Sequence, residues 1–338
     1  MDLFQIARDL ISRESTTGHE EPVAAYLEEA LTRMGLPVQS QPVSEGRRNI
    51  LAGPEHPSVI FCTHMDTVPP YLPLSEDDRF LHGRGACDTK GIIACMLECG
   101  SRLLAEGKRD FGYLFVVGEE VDNAGAKAAN RIVRGKYLIV GEPTENKVAV
   151  GHKGVLGVRV KVKGIPCHSA YPDQGDSAVH RLLFCLSRLL SADFGRSDLL
   201  GPSTVNIGQI HGGVAPNVLA PSAEATVTVR VVGDMPRVER TLEQCFHEPQ
   251  GSSLDPRIEL ETYTRMVPPP LERVEGFPET IVSFGTDIPF LADVGKPILF
   301  GPGSILDAHT SQEKIAKKAM LEAVEAYGVM ARKLMSRG

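Results

Sequence analysis

No stretch of this 338-residue sequence is apolar for long enough to form a membrane-spanning helix. A basic excess is also missing. Lys and Arg number 36 against 43 Asp and Glu, a formal net charge of -7 with no basic stripe, so no nucleic-acid partner and no anionic membrane surface is expected. Internal repeats and low-complexity tracts are absent, and Met1-Asp2-Leu3-Phe4 opens an acidic, amphipathic segment rather than a signal peptide. The cysteines do not suit a disulfide framework. There are seven, an odd number, and Cys62, Cys95, Cys99 and Cys185 lie in apolar surroundings. Reduced thiols in a cytoplasmic protein are the expectation. Cys95 and Cys99 have the i,i+4 spacing of one helix face and read as core residues rather than metal ligands.

What remains is an ordinary globular balance, 42% apolar and 23% charged, in a chain long enough for two domains. Amphipathic helices are predicted at 3–13 and 20–34, the second with Pro22 just inside its start and Gly35 at its end. Strand-like runs follow at 47–52 and 58–62. A helix capped by Thr89 runs to Leu104, and further strands follow at 112–117 and 137–140. From about 150 the pattern changes. Residues 155–163 alternate with period 2, as a half-exposed antiparallel strand does. Helix 176–191, strands 204–210 and 223–232, a helix near 236–246 and a strand near 257–263 complete a β-α-β-β-α-β order. The Pro-rich stretch Val267-Pro268-Pro269-Pro270 marks its exit, and a helix, strand 297–300 and helix 311–334 complete the chain. The expected architecture is an α/β catalytic domain on a mixed sheet (1–150 and 266–338), interrupted by an α+β, ferredoxin-like domain (151–265).

The adjacent pair Glu119-Glu120 follows the apolar run Tyr113 to Val117, where a buried strand leaves its sheet. Two neighbouring carboxylates there resist ionising unless a strong cation neutralises them. Other runs end in groups that could hold such a cation: His64 and Asp66 after 58–62, Asp88 in the turn Gly83-Arg84-Gly85-Ala86-Cys87-Asp88, and Glu142 after 137–140. His309 lies near the C-terminus. Ligands at strand ends suit an open α/β sheet, and imidazole with carboxylate suits zinc. Asp88, on a constrained turn, is the natural bridge of a two-metal site, and Asp66 could orient the His64 imidazole from behind. Each residue alone has a plainer role: Asp88 could cap a helix, and Glu142 before Pro143 could be a turn residue. Their joint placement at element ends points to a two-metal hydrolase.

The strings Thr63-His64-Met65-Asp66-Thr67-Val68-Pro69, Gly83 to Gly91, Glu119-Glu120, Gly141-Glu142-Pro143-Thr144, and Gly301-Pro302-Gly303 through Ala308-His309-Thr310 with Glu313 resemble the M20 metallopeptidase family. That group includes acetylornithine deacetylase, succinyl-diaminopimelate desuccinylase and glutamate carboxypeptidase. The resemblance spans essentially the whole chain in the family's order. It implies that His64 and Glu142 bind one Zn2+, that Glu120 and His309 bind the other, and that Asp88 bridges them with a cis peptide following it. Oxygen and nitrogen donors would equally admit Co2+ or Mn2+. Glu119 would be the general base that takes the proton of the attacking water.

In the inserted domain the resemblance assigns His168 to the active site of a neighbouring protomer in a homodimer, donating to the oxyanion. It also assigns Asn217 and Arg230 to the substrate. A guanidinium suits a carboxylate through paired hydrogen bonds, although Arg230 also reads as a surface cross-strand residue and Asn217 as a turn former. Gly301, Gly303 and Ser304 follow a strand and could cradle a carboxylate on main-chain N–H groups; His152 and His211 read as structural. The first expectation is a deacylase acting on a small N-acyl amino acid, because Gly-Glu-Pro-Thr resembles the deacetylase branch. A dipeptidase or carboxypeptidase is the alternative, and a non-catalytic scaffold keeping only the fold is an alternative of another class.

Overall fold

Three apolar runs without an acidic or basic side chain, save the terminal His64, become fully buried neighbouring strands in the computed structural model, which describes residues 2–247 and 253–337. They are Val59–His64, Phe111–Val116 and Tyr137–Val140. The first is parallel to both others, and Lys296–Leu299 is parallel to Tyr137–Val140. Parallel strands covered on both faces read as unbroken apolar runs, which is why their positions are plain in the sequence. The full eight-stranded order is Val38–Ser44, Arg47–Ala52, Phe111–Val116, Val59–His64, Tyr137–Val140, Lys296–Leu299, Val148–His152, Glu279–Val282. Antiparallel pairs join the parallel centre, as between Arg47–Ala52 and Phe111–Val116, so the sheet is mixed. Four strands thus deliver their C-terminal ends to one edge.

Helix Lys90–Ala105 packs against helices Leu3–Ile11 and Lys317–Met335. At Gly100 it comes so close to Tyr113 that a Cβ would collide with the ring, whose hydroxyl donates to the Met96 carbonyl at 3.1 Å. Tyr327 sets its edge against Phe61 and Phe300, 5.8 and 5.0 Å between ring centres, and donates its hydroxyl to the Phe300 carbonyl. Edge-to-face pairs of this kind add to the area they bury. The helix that starts beside Asp88 is therefore fixed by core packing.

The chain divides into two compact units. One is Met1–Gly151 with Pro269–Val282 and Thr286–Gly338; the other is His152–Pro268 with Ser283–Gly285. In the second, an antiparallel sheet has the order Thr204–Gly212, Ser222–Val231, Gly154–Lys163, Ile258–Met266, with helices Ala178–Ser191 and Met235–Gln244. Chain order and strand order together are those of a ferredoxin-like α+β fold. Ser222–Val231 alternates buried and partly exposed residues, as its sequence does. His152 is buried with neither ring nitrogen hydrogen-bonded, and burial pushes its imidazole down to about 4, a neutral core residue.

Some elements differ from expectation. Residues 311–316 are not helical: Lys314–Ala316 is a short strand paired with Phe80–His82, and the last helix is Lys317–Met335. That strand's partner lies over 200 residues away, so no local pattern announces it. Ahead of Lys296 the expected helix is a single 3-10 turn, Ile288–Phe290. Thr89 does not cap its helix; its hydroxyl donates to the His64 carbonyl at 2.8 Å. All seven cysteines are free. Among the described residues, no helix is long and apolar enough to cross a membrane.

Candidate metal centre

The C-terminal ends of the four parallel strands carry the candidate residues of the first unit. His64 ends Val59–His64, Glu119 and Glu120 follow Phe111–Val116, Glu142 follows Tyr137–Val140, and the loop bearing His309 follows Lys296–Leu299. This is the edge at which open α/β sheets bind ligands. Asp88 comes from the turn before helix Lys90–Ala105, and the Asp88–Thr89 peptide is cis. The turn is compact because Gly85 has φ 84° and no Cβ; a Cβ there would lie 2.7 Å from the Lys90 side chain. That lysine is buried, its ammonium donates to the Arg13 carbonyl, and burial pushes it down to about 8.

Asp88 lies between two imidazoles. Its Oδ1 is 3.0 Å from His64 Nε2, and its Oδ2 is 3.3 Å from His309 Nε2. Glu120 Oε1 approaches His309 Nε2 at 3.0 Å, and Glu142 Oε1 approaches His64 Nε2 at 3.9 Å. Ligand atoms of His64, Asp88 and Glu120 lie within 4.8 Å of one another. His64 donates from Nδ1 to the Asp66 carbonyl at 2.9 Å, which leaves Nε2 for the carboxylate side. His309 adopts φ 60°, a left-handed backbone that side-chain residues rarely take and that clusters at functional sites.

The electrostatics of this cluster call for positive charge. Burial pushes the Glu142 carboxyl well above the usual carboxylate range, and Asp88 adds to the effect. Glu119 is likewise pushed up by burial, partly opposed by His64 and reinforced by Asp287 and Glu120. Burial would raise Asp88 too, but hydrogen bonds from His309 and His64 outweigh it and hold Asp88 low. His309 is pushed up to about 10 by its bonds to Asp88 and Glu120. The Nε2 atoms of His64 and His309 here face the carboxylate oxygens that divalent cations would share. The donor set of imidazole nitrogen and carboxylate oxygen, with the two Asp88 oxygens facing different imidazoles, fits a pair of such ions.

Asp66 acts differently from the expectation that its carboxylate orients His64. The carboxylate lies 3.6 Å from Nδ1, whereas the main-chain carbonyl takes the hydrogen bond. Oδ1 accepts the N–H groups of Gly118 and Glu119 at 2.9 and 3.1 Å. Oδ2 accepts the Glu120 N–H at 3.2 Å and the Thr17 hydroxyl at 2.8 Å. Asp66 therefore holds the turn that presents the glutamate pair.

Gly301 also departs from expectation. Its N–H donates to Thr144 Oγ1 at 3.0 Å and its carbonyl accepts from Thr144 and Asn146, so it secures the Glu142–Thr144 segment and has no N–H left for a carboxylate. A Cβ on Gly303 would meet the Cys87 sulfur at 2.6 Å, and the Ser304 hydroxyl donates to Glu145. Sequence reasoning missed Asn123 and Asp287. The buried Asp287 carboxyl accepts from Asn123 Nδ2 at 3.0 Å, and burial pushes it up to about 6. Gly285-Thr286-Asp287 reads as an ordinary turn, and no local signal marks it.

In the second unit the structure brings His168 and Asn217 together. Residue 168 bridges Val218, and Ser169 N–H donates to the Asn217 carbonyl at 2.9 Å; both side chains are exposed. Arg230 sits at the other end of Ser222–Val231, paired with Thr204 and Val155. The eight steps from Ser222 to Arg230 span roughly 26 Å at about 3.3 Å each.

Comparison with known proteins bears on the family and the fold. Residues 150–251 match the family model described as Peptidase dimerisation domain. The chain is 37% identical to a Peptidase M20 domain-containing protein of Schizosaccharomyces pombe, covering 96% of this chain and 83% of that protein. It is 35% identical to the protein named Probable carboxypeptidase of Aspergillus clavatus, covering 99% and 83%. Among solved structures, a tripeptidase of Staphylococcus aureus superposes with a TM-score of 0.83 at 21% identity, covering 98% of each chain. A dinuclear metal-binding peptidase of Bacillus subtilis superposes with 0.72 at 14% identity, covering 99% and 98%.

Asp66→Asn keeps the shape of its side chain but turns an NH2 group toward main-chain donors. At least one buried N–H then loses its acceptor, which costs about 1–3 kcal/mol. Urea denaturation should show that loss, with a smaller one for Thr17→Val, and turnover should fall as the glutamate pair is released. Wild-type stability and turnover in Asp66→Asn would show that this carboxylate does not hold the turn.

Proposed function

The chain belongs to the M20 peptidase family, and from that premise we propose that it is a two-metal peptidase releasing an amino acid with a free carboxylate from a short peptide. The observation that carries the reading is Asp88, whose two oxygens face His64 and His309 at 3.0 and 3.3 Å beside Glu119 and Glu120. The unit containing these residues is the catalytic one, and the inserted unit serves dimerisation. His64 and Glu142 would hold one ion, His309 and Glu120 the other, with Asp88 shared. Zn2+ is the first choice on the family resemblance. Such ions would supply Lewis-acid polarisation of the scissile carbonyl and acidify the attacking water.

The chain's own groups move the protons. Glu119, not needed as a ligand, takes a proton from water as its oxygen attacks the carbonyl carbon. It then gives that proton to the amine nitrogen as the C–N bond breaks. The products are a carboxylate and an amine. An N-acyl amino acid and the end of a peptide present the same leaving group, an amino acid with a free carboxylate, so one site could serve either. The names of the fungal relatives favour the carboxypeptidase reading over the deacylase expected first. No candidate residue has been lost, so a silent scaffold has no support.

Arg230 would pair with the substrate carboxylate, and His168 with Asn217 would complete the site around the carbonyl. About 26 Å of strand separates these ends, too far for one small substrate to touch both within one domain. A twofold dimer would resolve this, with Arg230 from one chain and His168 and Asn217 from its partner.

Glu119→Gln preserves size and hydrogen bonding but cannot accept the proton. It should retain two metal ions by elemental analysis and lose turnover by several orders of magnitude. Substantial activity would remove Glu119 from the base role, and loss of metal would make it a ligand. Purified Zn2+-loaded protein should release amino acids from dipeptides and longer peptides faster than from N-acetyl or N-succinyl amino acids. Arg230→Ala should slow free-carboxylate substrates far more than their amides, whereas the reverse substrate order would restore the deacylase. His168→Ala and Glu119→Gln should each be nearly inactive. Co-expressed and isolated as a mixed dimer, they should regain about half of wild-type activity, since one of two composite sites is whole. Mixed dimers as inactive as their parents would place His168 outside the partner's site.

A further inference from the structure

One acidic residue of the catalytic unit, Glu313, is as buried as His64 and Asp88 but bonds to the main chain beneath Asp88 rather than to either imidazole. Glu313 is 1% exposed and Arg84 2%. Glu313 Oε2 accepts from Arg84 Nη1 at 2.6 Å, while Oε1 accepts the N–H groups of Cys87 and Asp88, each at 3.0 Å. The Glu313 main-chain carbonyl accepts the Gly83 N–H at 3.0 Å. A single residue thus grips both ends of the turn 83–88. Arg84 extends the grip through Nε to the Pro70 carbonyl at 3.2 Å.

Burying an ion pair is a poor route to stability, because desolvation offsets much of the attraction. This pair is neutral overall, so it adds no charge to the site next to it. What it does is geometric. Asp88, whose N–H it holds, extends its carboxylate to both imidazoles, and His309 lies four residues before Glu313 on the same segment. The two sides of the site are held by different means. His64 is fixed by its sheet and by the Thr89 hydroxyl on its carbonyl. His309 stands on a turn after Ser304, and its next tie to the 80–88 segment is Glu313 followed by the strand pair Lys314–His82.

We propose that the Glu313–Arg84 pair is a positioning device that sets the spacing between Asp88 and His309. It thereby governs how tightly the His309 side of the site holds its metal ion. The inference rests on the two-metal reading. Glu313 touches no substrate; it acts through the backbone of Asp88 and the segment of His309.

The test is calorimetric titration of metal-free, full-length protein with Zn2+, using wild type, Glu313→Gln, Glu313→Asp and, as references, His64→Ala and His309→Ala. Glu313→Gln leaves the Arg84 guanidinium opposite an amide NH2. Glu313→Asp keeps the charge but is one methylene too short to reach both partners, and it decides the matter should the first variant not fold. Both should bind one Zn2+ as wild type does and the other about 10–100-fold more weakly, the range for groups that orient a ligand, matching His309→Ala in which step weakens. A merely structural pair would lower the unfolding temperature of the metal-free protein and weaken both ions together, or leave both unchanged, and either pattern overturns the proposal. Wild-type protein binding fewer than two Zn2+ would instead overturn the two-metal reading beneath it.

Discussion

Too many carboxyl groups meet at one sheet edge for all of them to ionise unaided, and the local structure follows from that constraint. Asp66, Asp88, Glu142 and Asp287 are buried, and Glu119 and Glu120 are partly so. Glu142 and Glu119 are pushed up by burial and by their acidic neighbours. The only positive groups that bond to Asp88 and Glu120 among the described residues are the imidazoles of His64 and His309. Among the described residues no lysine or arginine forms an ion pair with Asp88, Glu119, Glu120 or Glu142; Arg84 is neutralised by Glu313, and Lys90 points to the Arg13 carbonyl. A cluster short of positive charge is the environment that a divalent ion would neutralise.

The sheet makes this crowding possible by fixing where each acid starts. Buried parallel strands leave little freedom in their registers, because each side chain is close-packed on its face and each interior N–H and C=O needs its ladder partner. Once His64, the Val116 end and the Val140 end are aligned, the residues that follow are committed to the same edge. The loops then need their own anchors, and each anchor is a buried polar group with several partners. Asp66 holds the glutamate turn, Thr144 and Gly301 hold the Glu142 segment, and Glu313 holds the Asp88 turn.

This division between sheet and anchors also explains what could be read from the sequence. The apolar runs at 58–62, 112–117 and 137–140, and the alternating strands of the inserted unit, register within a few residues of the observed elements, because burial on two faces or one is written locally. The acids after those runs were visible for the same reason. Anchoring was not. Asp66 looks like a partner for His64 two residues away, yet its carboxylate serves a turn more than 50 residues on. Thr89 resembles a helix cap but its hydroxyl goes to a neighbouring strand. Gly301 resembles an anion cradle until Thr144 takes its N–H. Asn123 and Asp287 meet across 164 residues with no motif at either end. For Asp66 and Thr89, a side chain with two possible partners, one near in sequence and one near in space, bonds to the second.

The two imidazoles differ in a way that bears on how such a site opens to solvent. The His64 side chain is 1% exposed, and its Nδ1 is tied to a strand-end carbonyl. The His309 side chain is 50% exposed on a left-handed backbone at a loop turn. Local unfolding starts where contacts are few and backbone is exposed, so the His309 side is the softer half. Softness there carries a cost for charge alignment, since an imidazole that drifts leaves Asp88 and Glu120 facing each other. A buried carboxylate four residues along the same segment, bonded to the main chain beneath Asp88, limits that drift without closing the open side.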